Sequence, residues 1–276
     1  MTREGTLPPE PRDFPIQLNP DGVAAPARQA AMVCREVIDL YFQALDSTDL
    51  SKPPPASTSN FFRFSSPAPE WSTIERRAVH ENWILPKAFQ ELMRGVRASL
   101  EEAYFFAQLA SIGRLQVRSS STLGEILAPF REKATKMNFP SLLAAVNLRL
   151  DTPLEFADAF ESMQKARNCL EHRNGVVGGV DVDVNGEMRL RFPRLKGFVL
   201  RGGHELEIYR DMFVEAGEKI FFRTDVRIRV FRAGDRLTIT STDFDEIAFA
   251  CSQFATDLAA RLPKVATALT PPPPKP

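Results

Sequence analysis

Apolar residues recur three and four apart along most of the chain, and two apart in one block near its C-terminal end. The first pattern predicts helices and the second strands. Over 25–47, Met32, Val33, Val37, Ile38, Leu40, Tyr41 and Leu45 recur at helix spacing. SKPPPASTSN then breaks the pattern as a loop. Residues 61–81 are ambiguous, with a helix expected from about Trp71. Over 85–111, Leu85, Phe89, Leu92, Val96, Leu100, Ala103, Phe106 and Ala110 form one stripe, and Pro86 suits its first turn. Shorter helices are predicted over 122–137 and 140–149. Thr152-Pro153-Leu154-Glu155 reads as a capping box opening a helix of about 21 residues. Phe156, Phe160, Met163 and Leu170 give that helix a buried face, and Asn174-Gly175 tolerates the left-handed conformation of a helix end.

The texture changes after residue 175. VDVDV and EMRLRF flank Asn185-Gly186, a pairing that predicts a β-hairpin over 180–192. FVLR, IFFR and DVRIRVFRAGDRLTIT continue the alternation, with a turn at Ala233-Gly234-Asp235. Gly178-Gly179 and Gly202-Gly203 also read as turns. Phe244, Ile247, Cys251, Phe254 and Leu258 then mark a closing helix over 242–262. The predicted class is α+β, mainly α. Helical segments 25–175 and 242–262 flank an antiparallel hairpin or meander inserted at 176–241. Residues 1–24 and the proline-rich 263–276 are expected to be mobile.

Composition narrows the function. Lys+Arg and Asp+Glu number 35 each, so no global field draws the chain to nucleic acid or membrane. A polyanion would need a local patch. Residues 187–236 supply one, with twelve Lys/Arg against eight Asp/Glu. Arg189 and Arg191 alternate with Leu190 and Phe192, and Arg227 and Arg229 with Val226, Ile228 and Val230. Alternation sets each arginine pair on a sheet face opposite the apolar residues. Such a face either guides RNA phosphates or is simply solvated. Cys34, Cys169 and Cys251 are scattered, and neither they nor the three histidines have metal-ligand spacing. No metal and no cofactor is expected. No apolar stretch has signal-peptide or membrane-spanning length, so a cytoplasmic protein without a membrane partner is expected.

The richest polar cluster is KARNCLEHRNG at 165–175, where Arg167-Asn168 precedes His172 as RNCLEH. Imidazole handles protons near neutral pH, and guanidinium offers a permanent fork of donors for phosphate oxygens. Asn168 and His172, four apart, share a helix face, so Asn168 suits an orienting role. Residues five apart diverge by roughly 140° around a helix, so Arg167 and His172 do not converge within one helix. The bland alternative is a surface pair of Arg167 with Glu171 and a solvated helix end. Arg173, Arg94 and Arg97 are candidate supporting groups, the last two weighed against plain helix ion pairs with Glu101 and Glu102. Cys169 reads as a small buried residue, and His80 and His204 as surface positions.

RNCLEH at the end of a long helix resembles the R-x4-6-H motif of the HEPN superfamily, whose members include metal-independent ribonucleases. The resemblance implies a HEPN-like helical bundle with a β insertion before its last helix. It also implies Arg167, Asn168 and His172 as catalytic residues and a homodimer in which two such helices build one cleft. A toxin or anti-phage role with a regulatory or antitoxin partner is its usual setting. The competing expectation is a catalytically inactive HEPN-like module that binds a partner protein or nucleotide.

Overall fold

The computed structural model describes residues 12–13, 18–52, 70–112, 116–117, 123–209 and 212–263. The proline-rich break from residue 53, the tail from 264 and most of the expected N-terminal mobile segment lie outside them. In chain order the elements are β1 (Arg12–Asp13), α1 (Pro20–Ser47), α2 (Thr73–Ile112), β2 (Gln116–Val117), α3 (Leu123–Lys136), α4 (Phe139–Asn147), α5 (Ala157–Arg173), β3 (Glu187–Arg201), β4 (His204–Glu207), β5 (Phe221–Arg232) and α6 (Ser241–Ala260). The α+β class with helix predominating and an antiparallel sheet before the last helix is what the pattern predicts. The chain divides into two compact units.

The first unit takes residues 1–26, 96–155 and 254–276. Its core includes Leu100, Tyr104, Phe106, Leu142, Leu143 and Val146. β1 and β2 form a two-residue antiparallel ladder. Asn138 caps α4 by accepting the Ser141 N–H at 2.9 Å. Arg97 donates to the carbonyls of Thr135 and Met137 at 3.1 and 2.8 Å, satisfying orphan acceptors at the end of α3. Thr152-Pro153-Leu154-Glu155 is not a helix cap. Arg261 holds it, donating to Pro153 O and, at 3.3 Å, to Thr152 Oγ1.

The second unit takes residues 27–95 and 156–253. α5 therefore has 17 residues rather than about 21 and begins after Phe156, which sits in the left-handed region at φ 58° with no side-chain cap. Its buried face runs through Ala159, Phe160, Met163, Ala166, Cys169 and Leu170. Asn174 (φ 51°) and Gly175 (φ 78°) terminate it as expected. A Cβ on Gly175 would meet Leu170 Cδ2 at 3.2 Å in a conformation that already disfavours one.

Three helical expectations change. α2 is one helix from Thr73, not a helix begun by Pro86, which lies inside it. Its true capping box is Ser72 with Glu75: the Glu75 carboxylate accepts the Ser72 N–H at 2.9 Å, and Ser72 Oγ accepts the Glu75 N–H at 3.3 Å. α1 starts at Pro20, with the Asn19 side chain accepting the Asp21 N–H. Its buried face is Ala27, Ala31, Cys34, Ile38 and Leu45, while Met32, Val33, Val37 and Leu40 are exposed. Of the residues expected at helix spacing, Ile38 and Leu45 are buried, and the small Ala27, Ala31 and Cys34 complete the face that the large exposed residues do not.

The sheet has the order β4-β3-β5, all antiparallel. The expected hairpin at 180–192 is corrected. Asn185-Gly186 is a turn, but 180–184 is not a strand. Asp183 Oδ1 accepts the N–H groups of Asn185 and Glu187, and Asp181 serves the preceding loop. The hairpin is instead β3-β4, turned by Gly202-Gly203 with φ of 57° and 81°. The arm expected after Ala233-Gly234-Asp235 is reduced to one bridge, Val176 to Arg236. Over the half of β3 that β4 does not reach, Ser162 of α5 takes the place of a strand. Its hydroxyl donates to Arg191 O at 2.9 Å and accepts from Arg191 N at 2.8 Å. Pro193 shares that parity, so its missing N–H faces away from β5 and costs no ladder bond.

Candidate functional site

The last two turns of α5 carry the motif. Arg167 forms an ion pair with Glu171 one turn on, and its Nη1 lies 3.4 Å from Asn168 Oδ1. Asn168 Oδ1 also accepts from Gln164 Nε2 at 2.9 Å. These four side chains make a polar ladder along one flank of the helix. His172 stands beside it with 62% of its side chain exposed and Nε2 3.9 Å from the Glu171 carboxylate, beyond hydrogen-bond reach. Arg167 and Asn168 are thus brought together, and Glu171 sits between Arg167 and His172. A phosphate approaching Arg167 competes with Glu171 for the guanidinium.

Arg173 is committed elsewhere. It grips the buried Asp181 with both Nε, at 2.7 Å, and Nη2, while Asp181 Oδ2 also accepts the Gly178 N–H at 2.9 Å. The hydrogen bond that Arg173 donates to Asp181 holds the guanidinium above its ordinary value, and burial pushes the neighbouring Cys169 thiol up. The pair latches the loop that follows α5, which the sequence reads only as Asp in a strand.

The other candidates are dispersed. Arg94, in the second unit, pairs with Glu91, and Arg97, in the first, pairs with Glu101 at 2.8 Å. His80 Nδ1 is 2.6 Å from the Tyr41 hydroxyl. His204 is exposed in the first pair of the β3-β4 hairpin.

The sheet register separates the two arginine pairs. Arg189 and Arg191 stand opposite Val230 and Ile228, while Arg227 and Arg229 stand opposite Phe192 and Leu190. Directly opposite residues share a face, so the two pairs lie on opposite faces. Arg227 and Arg229 share the face of buried Leu190 and Phe192 and are held by α6, through Glu246 at 2.6 and 2.7 Å and Asp243 at 2.6 Å. The same Asp243 takes part in the cap of α6 with Thr240. Arg189 pairs with Glu187 at 2.9 Å and Arg191 with Asp158 at 2.6 Å.

Farther along the Arg227 face, Arg194 is 8% exposed and bonded to Glu207, Asp225 and Glu246. The Arg194 hydrogen bond holds the Glu207 carboxyl below its ordinary value, and Arg194 itself is raised by Glu207. Glu207 and Glu246 also line a groove of about 950 Å³ between α1, α2 and α6, together with Asp39, Asp46, Glu81 and Asp245, against Arg77 and Arg227. Six carboxylates against two arginines make this groove unfit for RNA phosphates. Its acids are spread over four elements, α1, α2, β4 and α6, so no local run in the sequence announces it.

Among the described residues no group of His, Cys, Asp and Glu is arranged to hold a metal ion, and no helix is long and apolar enough to cross a membrane. The chain matches no protein-family model, no curated protein and no solved structure.

Proposed function

We propose that the chain is a metal-independent endoribonuclease of HEPN type, acting as a dimer whose cleft is completed by residues 167–173 of a second copy. The observation that carries this reading is an exposed His172 on the same two helical turns as Arg167 and Asn168, at a helix end. In the proposed reaction the RNA 2′-hydroxyl loses its proton and attacks the adjacent phosphorus. The bond to the 5′-oxygen breaks, and that oxygen takes up a proton. His172 moves a proton, Arg167 stabilises the phosphate charge and Asn168 orients. The products are a 2′,3′-cyclic phosphate and a 5′-hydroxyl. The RNA phosphate displaces Glu171 from Arg167. Arg189 and Arg191, on the sheet face away from the α6 carboxylates, are the remaining candidates to steer RNA. A role as toxin or anti-phage effector, under an antitoxin or other protein partner, belongs to the same proposal.

A second reading has its own support. The Arg167–Glu171 pair satisfies the guanidinium within the chain, as expected of an inactive HEPN-like module that binds a partner protein or nucleotide. End-group analysis separates the two. Incubation with single-stranded RNA in EDTA should give 2′,3′-cyclic phosphate ends and leave DNA of the same sequence intact. Cleavage that needs magnesium, or that acts equally on DNA, contradicts the mechanism. Intact RNA with retained RNA binding favours the module.

A further inference from the structure

We infer that β5 is a self-pairing edge, at which a second copy of this chain adds antiparallel about a two-fold axis through Thr224. β5 is the last strand of the sheet and spans 12 residues. In the β3 ladder, Arg191 turns its backbone groups to Ser162, away from β5. The neighbouring parity of β3 therefore faces β5, and its partners there are the odd-numbered residues. Phe222, Thr224, Val226, Ile228 and Val230 turn their N–H and C=O groups outward. Among the described residues no other backbone group bonds to them. Phe222, Ile228 and Val230 also expose their side chains. A long apolar edge of this kind is a template for another strand.

The charges along FFRTDVRIRVFR select both the partner and the register. An axis through Arg223, Asp225, Arg227 or Arg229 sets a charge against itself. An axis through Val226 sets Asp225 against Arg227 but also Arg223 against Arg229, and one through Ile228 sets Arg227 against Arg229. Within β5, an axis through Thr224 sets Arg223 against Asp225 twice and Phe222 against Val226, with no like charges opposed. It also makes Thr224 a hydrogen-bonded pair with itself. Asp225 Oδ1 now accepts the N–H of Val226, its own neighbour, at 2.8 Å. On pairing, Oδ1 gives up that N–H to the new ladder and faces Arg223 of the second copy, while Oδ2 keeps Arg194. The inference does not rest on the ribonuclease reading. α5 flanks the other edge of β3, so this surface is separate from residues 167–173.

Sedimentation of the full chain at tens of micromolar, without RNA, tests the edge. Thr224→Lys places two ammonium groups face to face at the axis. It should halve the mass relative to wild type and weaken association at least tenfold. Thr224→Cys should form a disulfide-linked dimer on mild oxidation, since opposed Cα atoms in such a pair lie about 5.5 Å apart. The three native cysteines are buried. Ile228→Cys, whose sulfurs would lie several residues apart, should not crosslink. Equal masses for wild type and Thr224→Lys, or crosslinking that is no better at 224 than at 228, overturns the inference. A Thr224→Lys protein that remains dimeric through another surface leaves the proposed composite cleft standing, so the two ideas fail separately.

Discussion

Glu171 is the residue on which the reading of the motif turns. It neutralises Arg167 and stands between that arginine and His172. In a nuclease it is a gate that RNA must displace, so Glu171→Gln should strengthen RNA binding and raise cleavage a few-fold, read by filter binding and initial rates. No change in either would show that the pair does not restrain Arg167. Arg167→Lys keeps the charge and loses the fork, and cleavage should fall on the order of 10²-fold. Asp181 is a structural counterpart. Breaking a buried pair costs ~3–5 kcal/mol when both partners are enclosed, and Arg173 is partly exposed, so Asp181→Ala should cost about 2 kcal/mol in urea unfolding. A cost near zero would mean that the loop after α5 holds itself.

At the scale of elements, repeated spacing was legible and partnership was not. The stripes of α2, up to Phe106, and of α6 fall on buried residues because large apolar side chains at 3.6-residue spacing have one place to go. α1 has two such faces, and the one made of Ala27, Ala31 and Cys34 is buried. Ser72-Thr73-Ile74-Glu75 and Thr152-Pro153-Leu154-Glu155 both fit the capping-box pattern, but the second caps no helix and is held by Arg261 instead. The arginine-rich alternation of β3 and β5 was plain, yet only register reveals that the pairs occupy opposite faces. The motif on α5 was legible as residues and the Glu171 pairing only as an alternative. Ser162 carried no signal as the third strand's substitute. Ser162→Ala leaves both backbone groups of Arg191 without that partner and should cost about 1–2 kcal/mol, measured by urea unfolding. Acid should loosen the sheet as well. The Glu207 carboxyl, held below its ordinary 4.5 by Arg194, contributes stability that is present above that value and is lost as pH falls through the lowered one. Stability should therefore fall more steeply below pH 4.5 in wild type than in Arg194→Met. Parallel pH profiles would remove Arg194 as the cause.

For the whole molecule, the proposal depends on assembly. Arg167 and His172 diverge within one helix, and in the proposal a second copy around residues 167–173 would supply the convergence that a single α5 lacks. Two separate two-fold surfaces, that one and the edge of β5, would give a dimer of dimers, and Thr224→Lys should reduce it to a dimer that still cuts RNA. A strictly monomeric protein at micromolar concentration would remove the composite cleft. The most direct test compares wild type and His172→Ala on single-stranded RNA in EDTA, with both proteins checked for fold and oligomeric state. The substitution removes no buried apolar side chain and alanine favours helix, so the fold should persist. The expected result is wild-type cleavage to 2′,3′-cyclic phosphate ends and a loss on the order of 10²–10⁴-fold in His172→Ala. Equal rates for the two proteins, folded and equally assembled, would contradict the assignment of RNCLEH as a catalytic motif.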